Sequence, residues 1–328
     1  NYGPGGSIGA FFDLNGYNSF SSNLSFRGHG DTRNELVTST FIDPVAGLDQ
    51  SYTRRSVSSS LRGGFDWTTD YRRTFKQPER ELIFALQFSG NQNSNKNSLE
   101  QLSAETALRR DERNNNSGLN LETTLQLDYV HPISPSVKME TGVKGVVRKI
   151  DSDFSSEFWD FDLQQYFTND QRTDIFYYDQ DVISGYLSFT TKLGKNYGLV
   201  TGARYERTFI GGDFENQSNS FSNNYDNILP SIIVSRNFSN FRSLKLSYTQ
   251  RIQRPGLRFV NPFVNFNDPR NISYGNPQLL PELTDQVELS YNANIKGIST
   301  NTAVFYRRTT DIIESLLNID EAGESETT

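Results

Sequence analysis

The chain has 328 residues, a net charge of −7, no cysteine, two histidines and one methionine. Hydrophobic residues make up only 34% and aromatics 13%, a balance that suits alternating apolar positions better than a packed α/β core. Acidity without a basic run argues against nucleic-acid binding, the lack of cysteine removes disulfides and thiol chemistry, and no apolar run approaches the roughly 18–20 residues of a membrane helix.

The first residues, Asn1-Tyr-Gly-Pro-Gly-Gly6, show neither a starting methionine nor a basic leader, and Asp320–Thr328 ends in a polar stretch. The whole of 1–328 is therefore read as one piece of a larger protein. A short turn at 15–18 precedes a weak alternating segment at 22–28, and the polar stretch 31–53 reads as a long connection. A turn at 73–78 introduces a second weak segment at 82–88, followed by the polar stretch 91–115, whose Asn/Ser run at 91–98 reads as a mobile external loop.

The clearest signal follows. In 119–130, the residues Leu119, Leu121, Leu125, Leu127 and Tyr129 are apolar, while Asn120, Glu122, Thr124, Gln126 and Asp128 are polar. A strand puts these two sets on opposite faces, whereas a helix scatters them. A turn at 131–135, a segment at 137–147, the aromatic and acidic stretch 151–179, and further segments at 183–193 and 199–205 continue the alternation. They are joined by a turn at 194–196. After the polar stretch 211–226 and the turn 237–241, Leu244, Leu246 and Tyr248 alternate with Lys245, Ser247 and Thr249. The final strong segment sets Val287, Leu289, Tyr291, Ala293 and Ile295 against polar neighbours before a turn at 296–298.

Short turns thus alternate with long polar stretches, about twelve strands in all. The arrangement fits an all-β, antiparallel transmembrane β-barrel: short periplasmic turns, long extracellular loops, lipid-facing apolar rows and a polar interior holding Glu122, Glu140, Lys144 and Lys245. Aromatics near the turns, among them Phe11, Phe12, Tyr17, Phe20, Trp67, Tyr71, Phe75, Tyr129, Phe238 and Phe241, suit an interfacial girdle. They also suit strands in general. No nucleophile motif, metal-ligand spacing or cofactor fingerprint appears, so no enzyme, metal or cofactor is expected. His131 sits in a turn, and Asp151, Asp153 and Glu157 lack calcium-loop spacing.

Residues 251–285 hold five of the eleven prolines, at 255, 262, 269, 277 and 281, among many aromatics. Neither helix nor central strand tolerates that density. The series Ser247-Tyr-Thr-Gln-Arg-Ile-Gln-Arg-Pro255, Asn261-Pro-Phe263, Asp268-Pro269, Asn271-Ile-Ser273, Gly275-Asn-Pro277 and Leu280-Pro-Glu282 resembles the barrel of TonB-dependent receptors, in particular the Bacteroidetes-type outer membrane β-barrel family.

The resemblance implies that the chain is a barrel fragment of about twelve strands, part of a wall that reaches 22 strands in large transporters. It further implies a bacterial outer-membrane location, contact with lipid, and binding of a bulky nutrient such as a siderophore, oligosaccharide or peptide. Uptake would be energised by a TonB complex acting on a plug domain. The family's signal peptide, TonB box, plug and C-terminal aromatic strand are not visible in 1–328. A structural or adhesive barrel, a passive porin, and a soluble propeller remain open alternatives. Ligand contacts are expected from Trp159, Phe161 and Tyr166 in one external stretch and from Arg254, Phe259, Phe263, Phe266 and Tyr274 in the proline-rich one. Loop–loop packing is the competing reading for both.

Overall fold

The computed structural model describes residues 2–43, 48–103, 109–216, 220–238, 242–261, 265–268, 271–295, 298–319 and 325–327. Eleven long strands form in succession: β1 (Gly5–Asn15), β2 (Asn18–Asp43), β3 (Leu48–Thr74), β4 (Glu81–Ser103), β5 (Arg110–Ser134), β6 (Val137–Asp160), then, after the short β7 (Gln165–Thr168), β8 (Asp174–Leu193), β9 (Tyr197–Phe214), β10 (Phe221–Phe238), β11 (Arg242–Gln253) and, past the proline-rich segment, β14 (Glu282–Ile295). The hairpin partner of β14 is β15 (Ile298–Thr310). Between β11 and β14 lie the four-residue helix α1 (Leu257–Val260) and the short strands β12 (Asn265–Asp268) and β13 (Asn271–Ser273); β16 (Leu317–Ile319) and β17 (Ser325–Thr327) follow β15.

The long strands make one antiparallel sheet in the order β1-β2-β3-β4-β5-β6-β8-β9-β10-β11-β14-β15, with β7 added to β6. Every neighbour on this path is the next long strand in the chain, an up-and-down meander. Among the described residues β1 and β15 are its two edges, so the sheet is an open wall of twelve strands, as the alternation implied. A four-stranded sheet, β12-β13-β17-β16, brings the final segment against the proline-rich one.

Exposure separates the two faces. Leu125, Val143 and Ile183 are 48%, 58% and 63% exposed, whereas inward Thr124 and Thr208 are 8% and 0% exposed. Because opposed residues of an antiparallel pair share a face, the register extends this sorting across the sheet: Leu86, Leu125 and Gly145 lie in one outward row, Gln87, Thr124 and Val146 in one inward row. The outward rows 119–129 on β5, 137–147 on β6 and 183–193 on β8 are largely apolar. Each has the roughly 9–11 residue length with which a tilted strand crosses hydrocarbon. Burying them against acyl chains satisfies side chains that a soluble sheet would leave in water.

Short turns close one end. At the first, the Asn15 Oδ1 accepts hydrogen bonds from the backbone N–H groups of Tyr17 (3.0 Å) and Asn18 (3.1 Å). Phe12, Phe20, Tyr71, Tyr129 and Phe238 lie on outward rows near this end, as an interfacial belt requires. Phe11 falls opposite Ser21 on the inward rows, and Phe75 lies in a turn under the Arg80 guanidinium, 4.5 Å away. Phe241 lies outside the described residues.

The other end departs from the sequence reading. Most of the polar stretches 31–53, 91–115 and 211–226 are strand rather than loop, and the Asn/Ser run at 91–98 lies wholly within β4. Of 151–179, β6 occupies the residues to Asp160 and β8 begins at Asp174. The reason is physical. Beyond the hydrocarbon both faces of a hairpin meet water, so the apolar alternation that marks a membrane strand disappears while the backbone ladder continues. Among the described residues, those between Gln253 and Glu282 stay off the ladder of the wall, with only α1, β12 and β13 as short elements.

Candidate functional site

Prolines at 255, 277 and 281 keep the segment after β11 out of the ladder, and instead of standing free it folds back over the inner face of the wall. We term the described residues of 254–281 the strap. Its first anchor is Arg254. The guanidinium pairs with the buried carboxylate of Glu206 and donates to Thr208 Oγ1 at 3.0 and 3.1 Å. Glu206 also receives Arg204 Nε at 2.6 Å. Two arginines on one desolvated carboxylate give charge-assisted bonds stronger than neutral ones.

The second anchor is apolar. Val260, 1% exposed, enters a cluster of Ile150, Phe176, Tyr178, Ile210 and Phe214, flanked by Phe221, Tyr225 and Leu279. Apart from Val260 and Leu279 of the strap, these side chains come from inward positions of β6, β8, β9 and β10. The Phe176 ring lies 4.8 Å from Phe214 and 6.4 Å from Phe221. Burial raises the Tyr178 hydroxyl to about 12, because a phenolate loses hydration there. Inside the strap, the Gly275 N–H donates to the Asn261 carbonyl (2.8 Å) and the Asn276 N–H to the Phe259 carbonyl (2.7 Å). A β-carbon on Gly275 would stand 2.5 Å from the Phe259 carbonyl oxygen, so only glycine permits this crossing.

Beside the strap the lumen face holds a cavity of about 730 Å³, lined in part by Arg27, Arg62, Asn91, Asn93, Arg148 and the strap's own Asn261. A second hollow, about 740 Å³, lies at the strand ends between β3, β4, β5 and β6, and includes Tyr52, Arg109, Arg110, Trp159 and Phe161. There Trp159 meets Tyr166 edge-on at 4.9 Å, the Tyr166 hydroxyl donates to Asp111 (2.9 Å), and the Arg113 guanidinium sits 3.8 Å over the Tyr166 ring. Burial, and then this bond to a carboxylate, raise the Tyr166 hydroxyl. Deeper on the inner side, Glu112 pairs with Arg110 and with Arg172 (3.5 Å).

The residues singled out from the sequence therefore fall in two places. Trp159, Phe161 and Tyr166 share the outer hollow and its margin. Arg254, Phe259 and Tyr274 belong to the strap over the lumen. Phe263 lies outside the described residues, and Phe266 is placed only as backbone of β12. Sequence reasoning did not single out Glu206, Thr208 or the three cavity arginines. Inward charges on alternating strands were the available signal, but Arg254 and Glu206 are 48 positions apart, a pairing that only the sheet register reveals.

The family model for the outer membrane protein beta-barrel family matches residues 73–328. Among solved structures, the ferripyoverdine receptor of the Pseudomonas aeruginosa outer membrane, bound to ferripyoverdine, is similar at a TM-score of 0.55 and 8% identity; the match covers 99% of this chain and 51% of that one. The Serratia marcescens hemophore receptor HasR, in complex with its hemophore HasA and heme, gives 0.51 and 9%, covering 98% and 58%. This chain thus spans about half the length of those receptors, and at such identity the likeness is one of fold. A comparison with curated proteins found no match. Twelve meandering strands with lipid-length apolar rows, and a family match over most of their length, lead to one assignment: the chain belongs to the outer membrane protein beta-barrel family and forms barrel wall in the bacterial outer membrane.

Proposed function

We propose that this chain supplies wall and external recognition surface to a receptor that captures a bulky nutrient, such as a siderophore, oligosaccharide or peptide, and imports it. Energy would come from a TonB complex acting through a plug domain outside this chain. The observation that carries the reading is the strap: a segment anchored at Arg254 and Val260 beside a lumen cavity of about 730 Å³. A passive pore gains little from a fixed obstruction beside a polar lumen pocket, whereas a receptor needs rigid contacts at its mouth. Phe259, Tyr274, Phe263 and Phe266 are proposed as strap contacts with the solute, and Trp159, Phe161 and Tyr166 as contacts at the outer hollow. Arg254 acts by positioning, since its guanidinium is committed to Glu206 and Thr208.

The test is uptake by cells carrying or lacking the full-length gene, over a panel of radiolabelled siderophores, oligosaccharides and peptides. The proposal expects one solute to require the gene and its accumulation to stop when a protonophore collapses the proton gradient, while surface binding persists. Gene-dependent entry that ignores the protonophore would instead identify a passive pore.

A further inference from the structure

Two adjacent rows of the lumen face define the floor of the cavity beside the strap. One runs Arg27, Gly64, Asn91, Asn120, Ile150 and Tyr178 across β2 to β8; the next runs His29, Arg62, Asn93, Gly118, Ser152 and Phe176. Each row begins in basic and amide side chains and ends in the cluster that seats the strap. Arg148 joins from the neighbouring row, where it stands opposite Glu122.

Three guanidiniums therefore converge on one pocket. Among the described residues none of the three is in an ion pair. The Arg148 Nε donates to the Asn120 amide oxygen (3.2 Å) and Arg27 to that of Asn91 (3.5 Å), contacts with neutral amides that orient the groups. Glu122 is the lumen carboxylate nearest in register, yet it makes no ion pair with Arg148. Asp31 lies 3.7 Å from His29, and Asp66 accepts from Gln87 at 2.9 Å. Asp151, the one acid lining the cavity among the described residues, alternates to the outer face, where it helps raise the Tyr177 hydroxyl behind the hydrogen bond from that group to Glu215. A β-carbon at Gly64 or Gly118 would run into the side-chain oxygen of Asn91 or Asn93, so these two glycines make room for amides lying flat against the wall.

Like charges gathered in one pocket without direct ion pairs favour a state of the site that holds an anion. Guanidinium forks and amide donors around a polar pocket match the planar oxygens of a carboxylate or the tetrahedral oxygens of a phosphate. Because Asn261 of the strap lines the same pocket, the site communicates with the external recognition surface. We propose that Arg27, Arg62 and Arg148 form a docking site for an anionic oxygen group of the imported solute, so that the receptor selects carboxylate- or phosphate-bearing ligands over neutral ones. The inference rests on the receptor reading above and gives it a substrate class.

The test is calorimetric titration of the full-length receptor in detergent with the tricarboxylate tricarballylate, with neutral maltotriose as control. Saturable tricarballylate binding that weakens with added salt is expected. Arg62→Gln and Arg148→Gln should each raise Kd about tenfold or more, as loss of a hydrogen bond to a charged group does, and Arg62→Lys should retain more affinity than Arg62→Gln. Should a glutamine variant fail to fold, the salt dependence and the lysine variant carry the test. Absent binding, as plug carboxylates filling the site would produce, overturns the proposal. So does binding indifferent to salt and to the arginines. The titration needs no energy source, so its failure leaves protonophore-sensitive uptake standing, and failure of energised uptake leaves the titration standing.

Discussion

Removing two methyl groups from the strap tests how it is held. Val260 is 1% exposed against Ile150, Phe176, Tyr178, Ile210 and Phe214. Val260→Ala withdraws two buried carbons at about 0.8 kcal/mol each, so about 1.6 kcal/mol before any residual cavity is counted. The loss falls on local docking of the strap, because the wall is held by its own strand ladder. If the strap opens as a unit, its amides should exchange with deuterium roughly fifteenfold faster, since about 1.4 kcal/mol is a factor of ten. The reporters are the N–H groups of Gly275 and Asn276, which donate within the strap at 2.8 and 2.7 Å. Hydrogen exchange read by mass spectrometry on peptides covering 254–281 and β5 supplies the comparison. Unchanged exchange in the strap would refute docking through Val260, and equal acceleration in β5 would show that the strap and wall do not separate as argued.

The remaining predictions use other parts of the structure. Leu125→Arg places a cation on a lipid-facing row and should cost about 2–4 kcal/mol, whereas Gln126→Arg, one residue along and inward, should cost far less; urea-dependent refolding into vesicles compares them. Gly275→Ala forces a β-carbon to 2.5 Å from the Phe259 carbonyl oxygen, so the strap should become protease-sensitive while the barrel keeps its resistance to unfolding in detergent. Tyrosinate absorbance of wild type minus Tyr178→Phe should titrate near 12 rather than 10. The sign follows from linkage: the unfolded tyrosine ionises first, so the contribution of the buried neutral hydroxyl is intact below pH ~10 and is lost as pH rises through about 12.

Membrane strands were legible because lipid imposes a period of two. Leu119 to Tyr129 lose water on one side only, and the sequence records it. Beyond the hydrocarbon that constraint ends, which is why β4 runs on through Asn91–Ser98 without an apolar row to announce it. The strap was legible as an interruption, since five prolines cannot sit in a ladder. Its direction was not legible: Val260 finds Phe176 and Phe214, and Arg254 finds Glu206, only once the strand register brings distant segments together. The same register assembles Arg27, Arg62 and Arg148, which are unremarkable singly.

Single-cysteine spin labels along β5 distinguish the lipid-facing from the lumen-facing side of the wall, and the chain offers a cysteine-free background. With the receptor in bilayers, labels at 119, 121, 125, 127 and 129 should collide with dissolved oxygen, and labels at 120, 122, 124, 126 and 128 with a water-soluble nickel chelate. Collision profiles that rise and fall together, with no alternation between the two quenchers, would contradict a wall set between lipid and lumen.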